Sequence, residues 1–216
     1  MKNSIVAAAV CALLLAVPAS AETAGDDASK PIKPGAVRIT TKAPEPDKWD
    51  ARRSANGMVR VFKCKPLACP DAATVTIAFL KSPTRHPDPQ ALEKFAKIEL
   101  PKSIRALDAA REILTDGAEK IETISSKTAT LKGYPGVISE NKFSKGKTAT
   151  YLDIAIVFAG PVMIRVHAIS QNRDLAKKML DQFVEAMRIE EGPPLPPGTE
   201  TMPAPKPMPD GTQKSI

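Results

Sequence analysis

The chain has 216 residues, with 31 basic against 24 acidic side chains, two histidines and 4% aromatics. A formal charge of +7 with so few aromatics and no recognisable binding motif argues against a nucleic-acid partner. The excess describes a solvated basic surface and is compatible with contact to anionic lipid head groups or polyanionic envelope polymers.

The first 21 residues read as a secretory signal. One positive charge, Lys2, precedes an apolar run from Ile5 to Val17, a breaker at Pro18, and the small-residue box Ala19-Ser20-Ala21. Cleavage is expected after Ala21, and Cys11, inside the apolar run, leaves with the signal. No other stretch reaches the ~18 consecutive apolar residues of a spanning helix, so no transmembrane segment is expected in the mature chain. The location this predicts is periplasmic or secreted.

From Glu22 to Lys48 the chain is poor in large apolar residues and carries Pro31, Pro34, Pro44 and Pro46 among charges. It reads as a flexible leader, with too little to bury to offset the entropy of ordering. At the other end residues 190–216, E-E-G-P-P-L-P-P-G onward, read as a proline-rich, extended and disordered tail. The folded part expected between them is Trp49 to Ile189, a length that suits one domain.

Inside it, Met58–Lys63 and Thr74–Leu80 are strand candidates; in the second, Val75, Ile77 and Phe79 alternate with smaller or polar residues. Trp49 precedes them as a packing anchor. Cys64 and Cys69, in C-K-P-L-A-C, fall between the two runs. In an oxidising compartment they are expected to pair, and the closed loop contributes about 2 kcal/mol by chain entropy. A redox centre is the sharper alternative, but the spacing is not C-x-x-C and no helix opens at the pair. The cysteines and histidines are also too few and too scattered for a zinc set, and no cofactor motif appears.

The loop S-P-T-R-H-P-D-P follows, presenting Arg85 and His86 on a proline-stiffened turn. They could form an anion site, and an ordinary exposed loop is the plainer account. Asp88 is a good N-cap with Pro89 at the first helical position, and Leu92, Phe95 and Ala96 make an apolar stripe. Pro101 is expected to break this helix. Ser103 is expected to cap a second one carrying Ile104, Leu107, Arg111 and Leu114, ended by Gly117.

Lys120–Leu131 alternates as a strand, Gly133-Tyr134-Pro135-Gly136 reads as a turn, and Val137–Phe143 as the next strand. After a basic turn at Ser144–Lys147, Tyr151 to Ile169 is the densest β-branched segment, two runs joined across Ala159-Gly160-Pro161. In its first arm Leu152, Ile154, Ile156 and Phe158 share a face. In the second, Val162, Ile164, Val166 and Ala168 point one way and Met163, Arg165 and His167 the other. Leu152, Ile154, Val162 and Ile164 are expected together in the core under the last helix, and the face with Arg165 and His167 is expected to be mixed and partly wet. That helix has Asn172 as N-cap and Leu175, Met179, Phe183 and Met187 at four-residue spacing.

The element order favours α+β: a single domain with an antiparallel sheet and helices packed on it. The alternating strand, the turn G-Y-P-G, the strand V-I-S-E-N-K-F, the basic turn, the hairpin Y-L-D-I-A-I-V-F to V-M-I-R-V-H-A-I, and the closing helix with Phe183 together resemble the PsbP-like fold, which includes DcrB-type bacterial envelope proteins. The likeness spans Thr74 to Ile189. It implies a module that binds or helps assemble a partner, without a shared catalytic centre, and offers no motif from which a functional residue transfers. The C-K-P-L-A-C pair and the proline-rich tail depart from the pattern. A second likeness, to invasion-associated locus B proteins, conflicts with the helical middle.

A Ser170, His167, Asp153 arrangement can be written down, but no nucleophile elbow accompanies it and residues so close in one hairpin do not align easily. The candidate binding residues are instead Lys142, Lys145, Lys147, Arg165 and His167. The function expected is that of an exported, non-enzymatic binding or assembly protein acting on an envelope protein or anionic envelope polymer. A small periplasmic hydrolase and a host-interacting secreted protein that uses the proline-rich tail are the alternatives. For the disulfide, free-thiol labelling of protein taken directly from the envelope should find no reactive cysteine; two labelled thiols would contradict the pairing.

Overall fold

The structure, a computed structural model, describes residues 31–69, 71–106 and 120–194. The signal and most of the tail lie outside the described residues. The strands are β1 Val37–Thr40, β2 Trp49–Arg53, β3 Val59–Cys64, β4 Ala73–Lys81, β5 Lys120–Leu131, β6 Tyr134–Lys145, β7 Thr148–Ala159, β8 Val162–Ser170 and β9 Arg188–Glu191. The helices are α1 Pro89–Lys94, α2 Leu100–Ala106 and α3 Arg173–Ala186. Seven strands form one antiparallel sheet in the order β2-β3-β4-β8-β7-β6-β5, and β1 pairs with β9 in a separate two-stranded sheet. The fold is α+β, as its element order implied.

The long hairpins close through two-residue loops, and these set the register. Ala159 pairs directly with Val162 across Gly160-Pro161, with Gly160 at φ +56°, where L side chains rarely sit. Partners on β7 and β8 therefore have opposite parity: Ile156 faces Arg165, and Val157 faces Ile164. Leu152 and Ile154, expected in one core with Val162 and Ile164, are separated from them onto the opposite face by this register. Similarly the β5–β6 turn is Lys132-Gly133, at φ +53° and +86°, so Tyr134, Pro135 and Gly136 belong to β6 and not to the expected turn.

Both faces of the sheet carry a core. On one, α3 packs Met179, Leu180, Phe183 and Val184 onto Phe62, Val75, Ile77, Val157, Ile164 and Val166. Phe183 sits edge-on to Trp49 at 4.9 Å and tilted against Phe62 at 5.0 Å between ring centroids, so the lone tryptophan is a packing anchor. Asn172 caps α3 by accepting from the Leu175 N–H at 3.1 Å, and its own amide donates to Asp71 at 2.9 Å. On the other face Leu92, Ala96, Leu100 and Ile104 pack onto Ile121, Val137, Phe143, Leu152, Ile154, Ile156 and Phe158.

That second core depends on a helix running through Pro101. A proline lacks the N–H for the carbonyl four residues back, and its ring crowds that carbonyl in a regular α-turn. Here Phe95–Glu99 is wound as a π-turn between α1 and α2, with Leu100 N–H donating to the Phe95 carbonyl, and the wider turn makes room for the ring. The expected break does not occur. Nor does Ser103 cap a new helix, because its hydroxyl donates back to the Glu99 carbonyl at 2.9 Å. Leu107, Arg111, Leu114 and Gly117 lie outside the described residues.

The ordered unit also reaches past both expected boundaries. β1 lies within the stretch 22–48 read as a flexible leader, and β9 enters the 190–216 tail. Their pairing joins Val37 to Glu191 and Thr40 to Arg188, while Val37, Ile39 and Ile189 pack against the α3 core. Gly192 permits the close crossing beyond β9, since a Cβ there would stand 2.2 Å from the Lys33 carbonyl oxygen. Cys64, at the end of β3, is disulfide-bonded to Cys69 with a Cα separation of 6.0 Å.

Phe183 is 1% exposed and touches both aromatic partners. Phe183→Ala should cost about 3–5 kcal/mol of unfolding free energy, read as a lower urea midpoint with unchanged slope; a loss under 1 kcal/mol would show that α3 docks independently of this cluster.

Candidate functional site

The register distributes the five expected binding residues over three places. Lys142 pairs with Tyr151 on the α3 face, Lys145 ends β6, and Lys147 is in the β6–β7 turn. Arg165 and His167 project from β8 on the opposite face, between Ala78 and Ile156 and between Thr76 and Ile154 respectively. Lys145 is level with Thr148 and Arg165 with Ile156, so roughly 27 Å of strand separates them. The lysines and the Arg165-His167 pair do not form one surface.

Arg165 and His167 lie on a strip of the sheet beside the helices. Among the described elements, α1, α2 and the π-turn pack over β5 and β6 and reach β7 through Phe95 on Phe158, 6.3 Å between ring centroids. Beyond them Val61, Ala78, Leu80, Met163, Arg165, His167 and Ile169 are only half-buried. Arg165 has Ala78 and Ile156 directly beside it and Thr76, Leu80, Ile154 and Phe158 diagonally, so no carboxylate faces it from either neighbouring strand. Its Nε is buried without a hydrogen-bond acceptor. Burial lowers the guanidinium pKa, although arginine keeps its charge in proteins. Burial first, and then the Arg165 charge, push the His167 imidazole down to about 3, so it is neutral at neutral pH.

Toward β5 and β6 the buried polar groups of this face bond one another. Asn141 donates to the Leu152 carbonyl and to Ser139 Oγ, both at 3.2 Å, and accepts from Thr123 Oγ1 at 2.9 Å. Ser139 donates to the Ser125 carbonyl at 3.2 Å. This network fixes β5 on β6 across the bulge between Thr123 and Ser125 and leaves nothing for a ligand. Next to the bulge a cavity of about 550 Å³ is lined by Lys97, Pro101 and residues 120–126. No sequence pattern marked it, because a bulge is a register defect that alternation does not reveal.

On the α3 face the unexpected residue is Asp153, 3% exposed, with Oδ1 lacking a partner. It has the parity of Ala155 and Val157 in an otherwise apolar run, and a charged residue at a core position was the signal available in the sequence. Glu140 stands opposite on β6 and is ion-paired with Arg173 at the start of α3. Burial, then Glu140 and Asp181, raise the Asp153 carboxyl to about 7, against the lowering pull of Arg173 and Lys177.

Ser170 and Asp153 face α3 while His167 faces the other way, so these three side chains do not meet as a triad. Ser170 Oγ accepts from the Asn172 N–H at 3.1 Å. Arg85 and His86 remain on an exposed loop, where Thr84 Oγ1 donates to the His86 carbonyl at 3.2 Å. Among the described residues no three His, Cys, Asp or Glu side chains are grouped to hold a metal, and no helix is long and apolar enough to cross a membrane.

No family model and no curated protein matches the chain. Among solved structures it is similar to a cyanobacterial PsbP (CyanoP) from Synechocystis sp. PCC 6803, at 11% identity and TM-score 0.49 over 78% of this chain and 98% of that one. It is also similar to LpqN, involved in cell envelope biogenesis of Mycobacterium tuberculosis, at 15% identity and TM-score 0.43 over 73% of this chain and 86% of that one.

Asp153 yields a signed pH dependence. Its folded pKa of about 7 lies above the ordinary 3.8, so its contribution to stability is complete below pH 3.8 and is lost as pH rises toward 7. Asp153→Asn should therefore be more stable than the native chain at pH 8, by at most about 4 kcal/mol, with the gain shrinking toward pH 4. Thermal melts of both proteins across that range measure it; a variant less stable at pH 8 would refute the burial account.

Proposed function

We propose that the protein is a non-enzymatic binding protein of the cell envelope, exported by its N-terminal signal, which holds an anionic envelope component against the open strip at Arg165. The observation supporting this reading is the half-buried Arg165 guanidinium, whose Nε lacks an acceptor and whose strand neighbours carry no carboxylate. A buried cation without a counter-charge costs several kcal/mol, and an arriving anion relieves that cost. His167 adds a neutral imidazole two residues along the same face. The overall basic charge draws an anionic component toward the protein without deciding where it docks.

The test compares two variants in capture from solubilised envelope by the immobilised full chain. Arg165→Gln should abolish capture of the anionic component, whereas the combined Lys142→Gln, Lys145→Gln, Lys147→Gln variant should retain it with weaker salt sensitivity. Capture that survives Arg165→Gln and fails in the lysine variant would move the site to the β6–β7 end and overturn this reading.

A further inference from the structure

The surroundings of Arg165 narrow the chemistry of what it binds. Val61 on β3, Ala78 and Leu80 on β4, and Met163 and Ile169 on β8 lie half-buried around it, with Ile156 and Phe158 of β7 alongside. Arg165 is level with Ala78, so Leu80 and Met163 lie on one side of it along the strip and His167, Thr74 and Ile169 on the other. The polar groups next to Arg165 on this face are His167, uncharged at neutral pH, and Thr76, its partner on β4.

One cation set in apolar surroundings is matched by a ligand with one negative charge and an apolar body. A dianionic phosphate would bring a second charge with no partner into a poorly hydrated site. A carboxylate is singly charged, planar, and presents two acceptors to the donor fork of a guanidinium.

Building on the assignment of Arg165 above, we propose that the strip binds a free long-chain fatty acid, its carboxylate on Arg165 and its chain leading away from His167 over Ala78, Leu80 and Met163. The carboxylate gives the Arg165 Nε the acceptor it lacks, and the chain covers the half-buried Ala78 and Leu80 beside it.

Calorimetric titration of the full chain with laurate, dodecanol and acetate separates the contributions of head group and chain. Laurate should bind, dodecanol at least tenfold more weakly, and acetate without measurable heat. Arg165→Gln should weaken laurate binding at least tenfold, and Arg165→Lys should retain part of it. Arg165→Met, which removes a buried charge from an apolar site, should keep a native melting transition and lose laurate in the same way, so loss of binding can be told from loss of folding. Equal affinity for laurate and dodecanol, or laurate binding unchanged in both Arg165→Gln and Arg165→Met, would overturn the proposal. Arg165-dependent capture of an envelope component combined with no laurate binding would also overturn it, and would leave the broader envelope-binding reading standing.

Discussion

The two-residue loop Gly160-Pro161 is the constraint on which the rest of the molecule depends. It pairs Ala159 with Val162 and so dictates which residue of each central strand faces which helix. A slip of one residue would exchange the two faces of β8, putting Arg165 and His167 under α3 and Val166 on the open strip. Because β8 also bridges β7 to β4, that register is passed on to Val75, Ile77 and Phe79 and from them to Phe62. The contact of Phe183 with Trp49 and Phe62 is possible only once this alignment is made.

Much of this was legible from period alone. Strands with a two-residue alternation and the α3 stripe at four-residue spacing declare their type, because burial of one face imposes the period. What period cannot supply is the phase between neighbouring elements. The even-numbered residues of both arms of the central hairpin looked like one core, and only the loop length reveals that partners have opposite parity. Pro101 was misread for a related reason: a local rule about a regular α-turn does not foresee a π-turn placed to absorb the ring. β1 and β9 escaped notice because four-residue strands rich in charge, such as Arg188-Ile189-Glu190-Glu191, have no pattern until they meet each other. Of the candidate binding residues, Arg165 and His167 share one face of β8, and strand geometry places the three lysines elsewhere.

Among the described residues Asp153 and Arg165, of opposite charge, each stand in an apolar layer, one on either face of the sheet. Asp153 is closed in under α3 among Glu140, Asp181, Arg173 and Lys177, where proton uptake can relieve its burial. Arg165 has no such outlet, since arginine does not surrender its proton. It lies on the side of the sheet that the described helices cover incompletely.

The pairing of β1 with β9 has a mechanical consequence. Val37 and Glu191 are register partners at the ends where the chain enters and leaves the pair, and Gly35 N–H donates to the Pro193 carbonyl at 2.7 Å just outside them. Tension applied between the two exits therefore opens this ribbon like a zip, one pair of hydrogen bonds at a time, instead of shearing it all at once. The ribbon would yield at low force before the seven-stranded sheet is loaded, and its opening would uncover the side of the α3 core on which Val37, Ile39 and Ile189 pack.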